Sequence, residues 1–276
     1  MGATEGLVER FMCAEWTFAT RFRQIKSSAI REILKVTAQP DIISFAGGLP
    51  APELFPVDIL AQACAQLFAD EKEAAAALQY STTEGYPPLK QAIIRRAQTR
   101  GITLTEQELL ITHGSQQGLD LVTRAFVNPG DYVAIDNPGY LGAIQIFQVA
   151  EARMVPLEID REGTVPESLE EALKRYPIKL VYLTPTFHNP LGVTMSLERR
   201  RRIAELAEKT GVVIVEDDPY GELRYSGEDL PSLRALSSRI VGLGTFSKIL
   251  VPGFRLGWGA ADKEIIEKLV MLKQAT

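Results

Sequence analysis

The sequence predicts an α/β fold: a mainly parallel central sheet flanked on both sides by helices. Three observations carry this expectation. From Glu108 onward, short apolar runs alternate with segments of helical period, the order expected when each strand is followed by a covering helix. The runs are continuously apolar, as strands buried on both faces require. With 276 residues, 46% of them hydrophobic and 24% charged, the chain is long enough to bury a full α/β core as one large domain.

The elements follow in order. A helix is expected over 28–36, closed by the Gln39-Pro40 break, which makes residues 1–40 an N-terminal helical arm and 41–276 the large domain. The runs 109–112, 132–135, 180–183, 212–215 and 240–243 read as strands. The first enters a Gly114-Ser115 turn and a helix from about Gln116 to Phe126. Between the third and fourth lies a helix over 198–209, capped by Ser196, with Ile203, Leu206 and Ala207 on one face and Gly211 at its end. Its basic run, Arg199 to Arg202, is followed by Glu205 and Glu208 and reads as a solvated face. A last helix begins near Lys263.

Charge and composition narrow the function. A net charge of -5 argues against general attraction to nucleic acid or anionic membrane. The cysteines Cys13 and Cys64 and the histidines His113 and His188 lack metal-site spacing, so no metal is expected and a reducing, cytoplasmic setting fits. No long apolar stretch supports a signal peptide or a membrane span.

Five segments carry chemistry, each placed after a predicted strand, where open α/β sheets bind their ligands. In TFSKILVPGFRLGW, Lys248, set among the hydroxyls of Thr245 and Ser247, offers an amine to an aldehyde while Arg255 offers a bidentate cation to a phosphate. In VVIVEDDPYGELRY three acidic groups end a strand; Asp217 suits a protonated pyridine nitrogen and Tyr220 the ring's phenolic oxygen. Asn189 of LTPTFHNPLG is placed to share that oxygen. Gly114, Ser115 and Gln116 open a helix whose free amides bind anions, and Tyr140 of IDNPGYLGAI can lay its ring on a flat cofactor. Taken singly, the Lys248 segment also reads as a solvated loop, and the acidic segment reads better as a solvated turn with an Asp-Pro break.

Together with ISFAGGLPAPELFP and LQYSTTEGYPPLK, these segments resemble the class I/II aminotransferases of the fold-type I pyridoxal-phosphate superfamily, most of all the 2-aminoadipate (LysN-type) and kynurenine branch. The resemblance runs from about Ser27 to the C-terminus. It implies pyridoxal 5'-phosphate as cofactor, with Lys248 on its aldehyde, Asp217 on its ring nitrogen, and Tyr220 with Asn189 on its phenolic oxygen. Ser115, Gln116, Thr245, Ser247 and Arg255 would hold the phosphate, Tyr140 would stack on the ring, and Gly48 would line the substrate side. A tyrosine at the position of Tyr80 reaches the neighbouring subunit's phosphate, which implies a homodimer. Relatives in this branch carry an arginine like Arg31 that contacts the substrate side chain; a solvated helix arginine is the alternative.

The implied function is transamination of an L-amino acid, whether 2-aminoadipate, aromatic or branched-chain, with 2-oxoglutarate as acceptor. Another pyridoxal-phosphate reaction, a lyase or decarboxylase, uses the same platform, and a non-catalytic sensor domain is a further alternative. Burial and Arg255 are both expected to lower the pKa of Lys248. The resemblance also implies a smaller C-terminal domain of roughly 100 residues, carrying the substrate carboxylate's arginine. It is expected to be absent from these 276 residues, leaving the chain poorly active alone and with exposed apolar surface.

Overall fold

The computed structural model describes residues 16–23, 25 and 48–276. The helix expected over 28–36, Arg31 on it, and Cys13 lie outside the described residues. Three helices come first: α1 (Val57–Ala69), α2 (Glu71–Leu78) and α3 (Pro87–Thr99). Helices α1 and α2 bury no residue, and Leu54, Val57, Ile59 and Phe68 in and before them stand exposed.

The strand–helix alternation begins where the sequence places it. Strand β1 (Leu109–Thr112) leads into α4 (Gly114–Phe126), β2 (Tyr132–Asp136) into α5 (Leu141–Val149), and β3 (Arg153–Leu157) into a hairpin of β4 (Ile159–Asp160) and β5 (Gly163–Thr164). Helix α6 (Pro166–Arg175), β6 (Ile178–Leu183), α7 (Leu197–Thr210), β7 (Val213–Asp217), α8 (Leu233–Leu236), β8 (Ile240–Thr245), β9 (Gly257–Ala260) and α9 (Lys263–Lys273) follow. The main sheet has the order β1-β9-β8-β7-β6-β2-β3. Its pairs from β3 through β2, β6 and β7 to β8 are parallel, whereas β9 is antiparallel to both β8 and β1. The glycine-rich β9 and the edge strand β3 have no counterpart among the predicted runs.

Alternate residues of one strand serve two cores. On β6, Leu180 and Tyr182 face the cluster built with α4, α5 and α9, while Val181 and Leu183 face the cluster built with α6, α7 and α8. This is why the runs are continuously apolar. Helix α7 buries Ile203, Leu206 and Ala207 as expected, each large side chain contributing about 2–3 kcal/mol. Ser196 Oγ accepts from Arg199 N at its start, and Gly211 (φ +73°) ends it in the left-handed conformation.

The basic run on α7 is not uniformly solvated. Arg200 is fully buried, and its guanidinium donates to Met195 O (3.0 Å), Pro185 O (2.9 Å), Thr186 Oγ1 (2.8 Å) and Pro231 O (3.1 Å), with Glu216 3.9 Å away. Helical period puts Arg200 on the same face as Ile203 and Ala207, and carbonyls of the loops above supply the partners a buried guanidinium needs.

Candidate functional site

Because β9 runs opposite to its neighbours, its entry lies on the same sheet edge as the exits of β1, β2, β6, β7 and β8. Residues far apart in sequence converge there on one cleft of about 870 Å³, lined by Gly48, Ser115, Gln116, Tyr140, Asn189, Asp217, Tyr220, Thr245, Ser247, Lys248 and Arg255. Gly114 stands behind it against Arg255, and Tyr80 is 99% exposed and does not line it.

The three acidic residues at the end of β7 part company because strand side chains alternate. Glu216 is buried with Ser232 Oγ (2.7 Å), Leu233 N (2.9 Å) and Arg234 N (2.9 Å), capping α8. Asp218 pairs with Arg100 at 2.7 Å and accepts from Gly221 N at 2.8 Å. Asp217 alone enters the cleft. Its Oδ2 accepts from Tyr182 Oη at 2.8 Å, and its buried Oδ1 has no hydrogen-bond partner among the described residues. Burial pushes its carboxyl up to about 6, against the pull of the Tyr182 hydroxyl and, more weakly, of the Ser115 side chain.

Lys248 follows β8 and is half-buried, its Nζ 6.0 Å from the centre of the Tyr220 ring. Burial lowers its pKa; Arg255, expected to contribute, does not. The Tyr220 hydroxyl is raised first by burial, and a hydrogen bond from Asn189 opposes that shift. Tyr140 caps the start of α5, where Gly142 leaves room for its ring: a Cβ there would lie 2.6 Å from Tyr140 Cζ. Gln116 Nε2 donates to Gly142 O at 2.9 Å and ties this segment to α4.

The cationic end is built around Arg255, held in the left-handed conformation at φ +49°. Its Nη1 contacts Ser247 Oγ at 3.4 Å and Pro252 O at 3.3 Å, and Nη2 contacts His113 O at 3.5 Å. Thr245 Oγ1 joins Ser247 Oγ at 2.9 Å and accepts from Ser247 N at 3.1 Å. Beside them the N-terminus of α4 presents its first-turn amides, with no side-chain cap from His113, so hydroxyls, amides and a guanidinium converge as an anion requires. Sequence reasoning missed Tyr182, Thr184 and Gln145, which also line the cleft. Tyr182 left one signal, a hydroxyl inside an otherwise aliphatic strand.

Residues 46–276 match the family described as aminotransferase class I and II. The chain is 46% identical over 266 residues to aromatic-amino-acid aminotransferase 1 of Thermococcus litoralis, covering 94% of this chain and 63% of that protein. It is 43% identical over 256 residues to the 2-aminoadipate transaminase of Thermus thermophilus, covering 91% of this chain and 63% of that protein. The chain thus spans less than two thirds of the length of these two relatives. Among solved structures, kynurenine aminotransferase of Pyrococcus horikoshii, in complex with PMP, KYN as substrates and KYA as products, superposes with a TM-score of 0.87 at 44% identity. That likeness covers 99% of this chain and 67% of the other.

Proposed function

Because the chain belongs to the class I and II aminotransferases, we propose that its cleft holds pyridoxal 5'-phosphate and that the protein transfers the amino group of an L-amino acid to a 2-oxo acid. One observation carries this reading: Asp217, whose buried Oδ1 has no hydrogen-bond partner among the described residues, lines the same cleft as Lys248 and the anion-binding cluster at Arg255. The residues fit that cofactor. A buried carboxylate oxygen without a donor suits a ring N–H, and Arg255 with Ser115, Gln116, Thr245 and Ser247 suits a phosphate. Tyr140 offers a ring to stack upon, and Tyr220 with Asn189 offers two hydrogen bonds to a phenolic oxygen.

Bound there, the cofactor supplies an aldehyde that takes up amino groups and a ring that accepts the electron pair of a broken C–H bond. Lys248 moves the proton: burial lowers its pKa, so its amine is available to take the hydrogen from the substrate α-carbon. Asp217 holds the ring nitrogen's proton in place, and Tyr182 fixes the orientation of that carboxylate. We further propose donors of the 2-aminoadipate, aromatic or branched-chain type with 2-oxoglutarate as acceptor, and a cytoplasmic homodimer in which Tyr80, exposed here, serves the neighbouring subunit's site. Among the described residues no helix is long and apolar enough to cross a membrane.

The test is an absorbance spectrum of the protein with added pyridoxal phosphate, beside Lys248→Ala. The parent is expected to show a band near the visible edge that the variant lacks, together with transamination in a screen of amino donors that falls at least about 100-fold in the variant. Retention of the band in Lys248→Ala reassigns the lysine. Loss of carbon dioxide or elimination products in place of an amino acid and a 2-oxo acid overturns the transaminase reading.

A further inference from the structure

Outside the cleft lies a second buried polar cluster that the reaction does not use. Asp136, the last residue of β2, is 3% exposed. Its Oδ1 accepts from Thr164 Oγ1 of β5 at 2.8 Å, and the Thr184 backbone N–H beyond β6 donates to the same carboxylate. Its Oδ2 has no hydrogen-bond partner among the described residues, yet His188 Nε2 lies 3.6 Å from it. His188 is equally buried, at 3% exposure. Its Nδ1 accepts from Leu191 N at 3.4 Å, which assigns the imidazole hydrogen to Nε2, facing Asp136. At 3.6 Å the imidazole N–H and the carboxylate oxygen stand just beyond hydrogen-bond length.

The place of the pair matters more than its chemistry. Asp136 is followed by the turn that delivers Tyr140, and His188 immediately precedes Asn189. The His188 backbone also closes the Asn189 loop, its N–H donating to Val193 O at 2.8 Å and its carbonyl accepting from Gly192 N at 2.5 Å. The pair therefore joins two segments that meet the cleft from different strands. Burial pushes the Asp136 carboxyl up to about 7, against the pull of the donors on Thr164 and the Thr184 backbone. Stability alone does not call for such a pair, because apolar side chains of similar volume pack there at less desolvation cost.

We propose that Asp136 and His188 form a buried brace that fixes Asn189, and with it the Tyr220 hydroxyl, against the Tyr140 segment. Both are positioning residues: neither lines the cleft. The positioning role rests on reading the cleft as a pyridoxal-phosphate site, whereas the brace itself does not.

Two measurements separate these. In the cofactor-free protein, nitrogen-15 NMR is expected to show a slowly exchanging His188 imidazole N–H that Asp136→Leu abolishes; its absence in the parent overturns the brace. In the protein loaded with pyridoxal phosphate, Asp136→Leu and His188→Phe are expected to move the pH midpoint of the bound-cofactor absorbance by about one unit and to lower kcat about tenfold, with KM little changed. Asp136→Asn and His188→Gln, which keep an acceptor and a donor in place, are expected to recover most of both. Folded, cofactor-loaded Leu and Phe variants with an unchanged midpoint overturn the positioning role. So does a failure of the conservative variants to improve on them. If the parent forms no Lys248-dependent band, the reading of the cleft fails and the positioning role with it, while the NMR result still decides the brace.

Discussion

Tyr182 donates its phenolic hydrogen to Asp217 Oδ2 at 2.8 Å, which leaves the other oxygen of this cleft-lining carboxylate, Oδ1, buried with no hydrogen-bond partner among the described residues. The tyrosine and the aspartate sit on adjacent parallel strands, where Tyr182 pairs with Val215, two residues before Asp217. Removing the hydroxyl takes away a donor that holds the Asp217 pKa down and lets the carboxylate turn. Tyr182→Phe is expected to lower kcat about tenfold while cofactor remains bound, a loss typical of one hydrogen bond to a charged group. Steady-state kinetics on the cofactor-saturated enzyme checks it; an unchanged kcat removes Tyr182 from the site's machinery.

Asp217 makes the cofactor-free protein sensitive to pH. Its carboxyl ionises near 3.8 in the unfolded chain and only near 6 when folded. Between those values the folded state keeps a proton that the unfolded state has lost. This group's contribution to stability therefore falls as pH rises from about 4 to about 6, by on the order of 3 kcal/mol. Asp217→Asn removes the effect, so the cofactor-free variant should melt above the parent at pH 7 and level with it at pH 4. The same substitution should weaken turnover sharply, because a neutral amide does not hold the ring nitrogen's proton. Parallel melting curves across that range would contradict the burial argument.

Gly114 guards the guanidinium. A Cβ at this position would lie 2.7 Å from Arg255 Nη2, and the backbone sits at φ +76°, where side chains are strained. Gly114→Ala is expected to displace Arg255 and raise the dissociation constant for pyridoxal phosphate at least about tenfold, with a smaller effect on pyridoxal lacking the phosphate. Equal weakening of the two ligands would place the defect elsewhere. Titration by absorbance distinguishes them.

The buried guanidinium of Arg200 ties Pro185 O and Met195 O, the two ends of the segment carrying His188 and Asn189, to helix α7. Arg200→Met is expected to cost about 3–5 kcal/mol of stability, because it takes the donor from Met195 O, one of two from Pro185 O, and the cation from the neighbouring buried Glu216. Its exposed neighbour serves as the control: Arg201→Ala should change stability by no more than about 0.5 kcal/mol. Denaturant melts of both variants give the comparison, and similar midpoints would return the basic run to a solvated face.

How far the sequence carries can be judged residue by residue. The runs that became β1, β2, β6, β7 and β8 are legible because a strand buried on both faces must be apolar throughout, a constraint written in consecutive residues. Lys248, Asp217, Tyr220, Asn189, Ser115 and Arg255 are legible as candidates because each follows such a run. The antiparallel β9 was not, since its Gly257-Trp258-Gly259-Ala260 sequence lacks aliphatic side chains and is specified by the strands on either side.

What the sequence determines by itself is therefore the order of strands and helices and the short list of groups delivered to one edge of the sheet. The tertiary structure decides partnership: that Glu216 caps α8 and Asp218 meets Arg100 while Asp217 is left for the cleft, that Arg200 turns inward, and that Tyr182 orients a carboxylate on the neighbouring strand. The reason is physical. Periodicity depends on neighbours within a few positions, whereas hydrogen-bond partners are set by the register of strands separated by tens of residues, and only the folded sheet fixes that register.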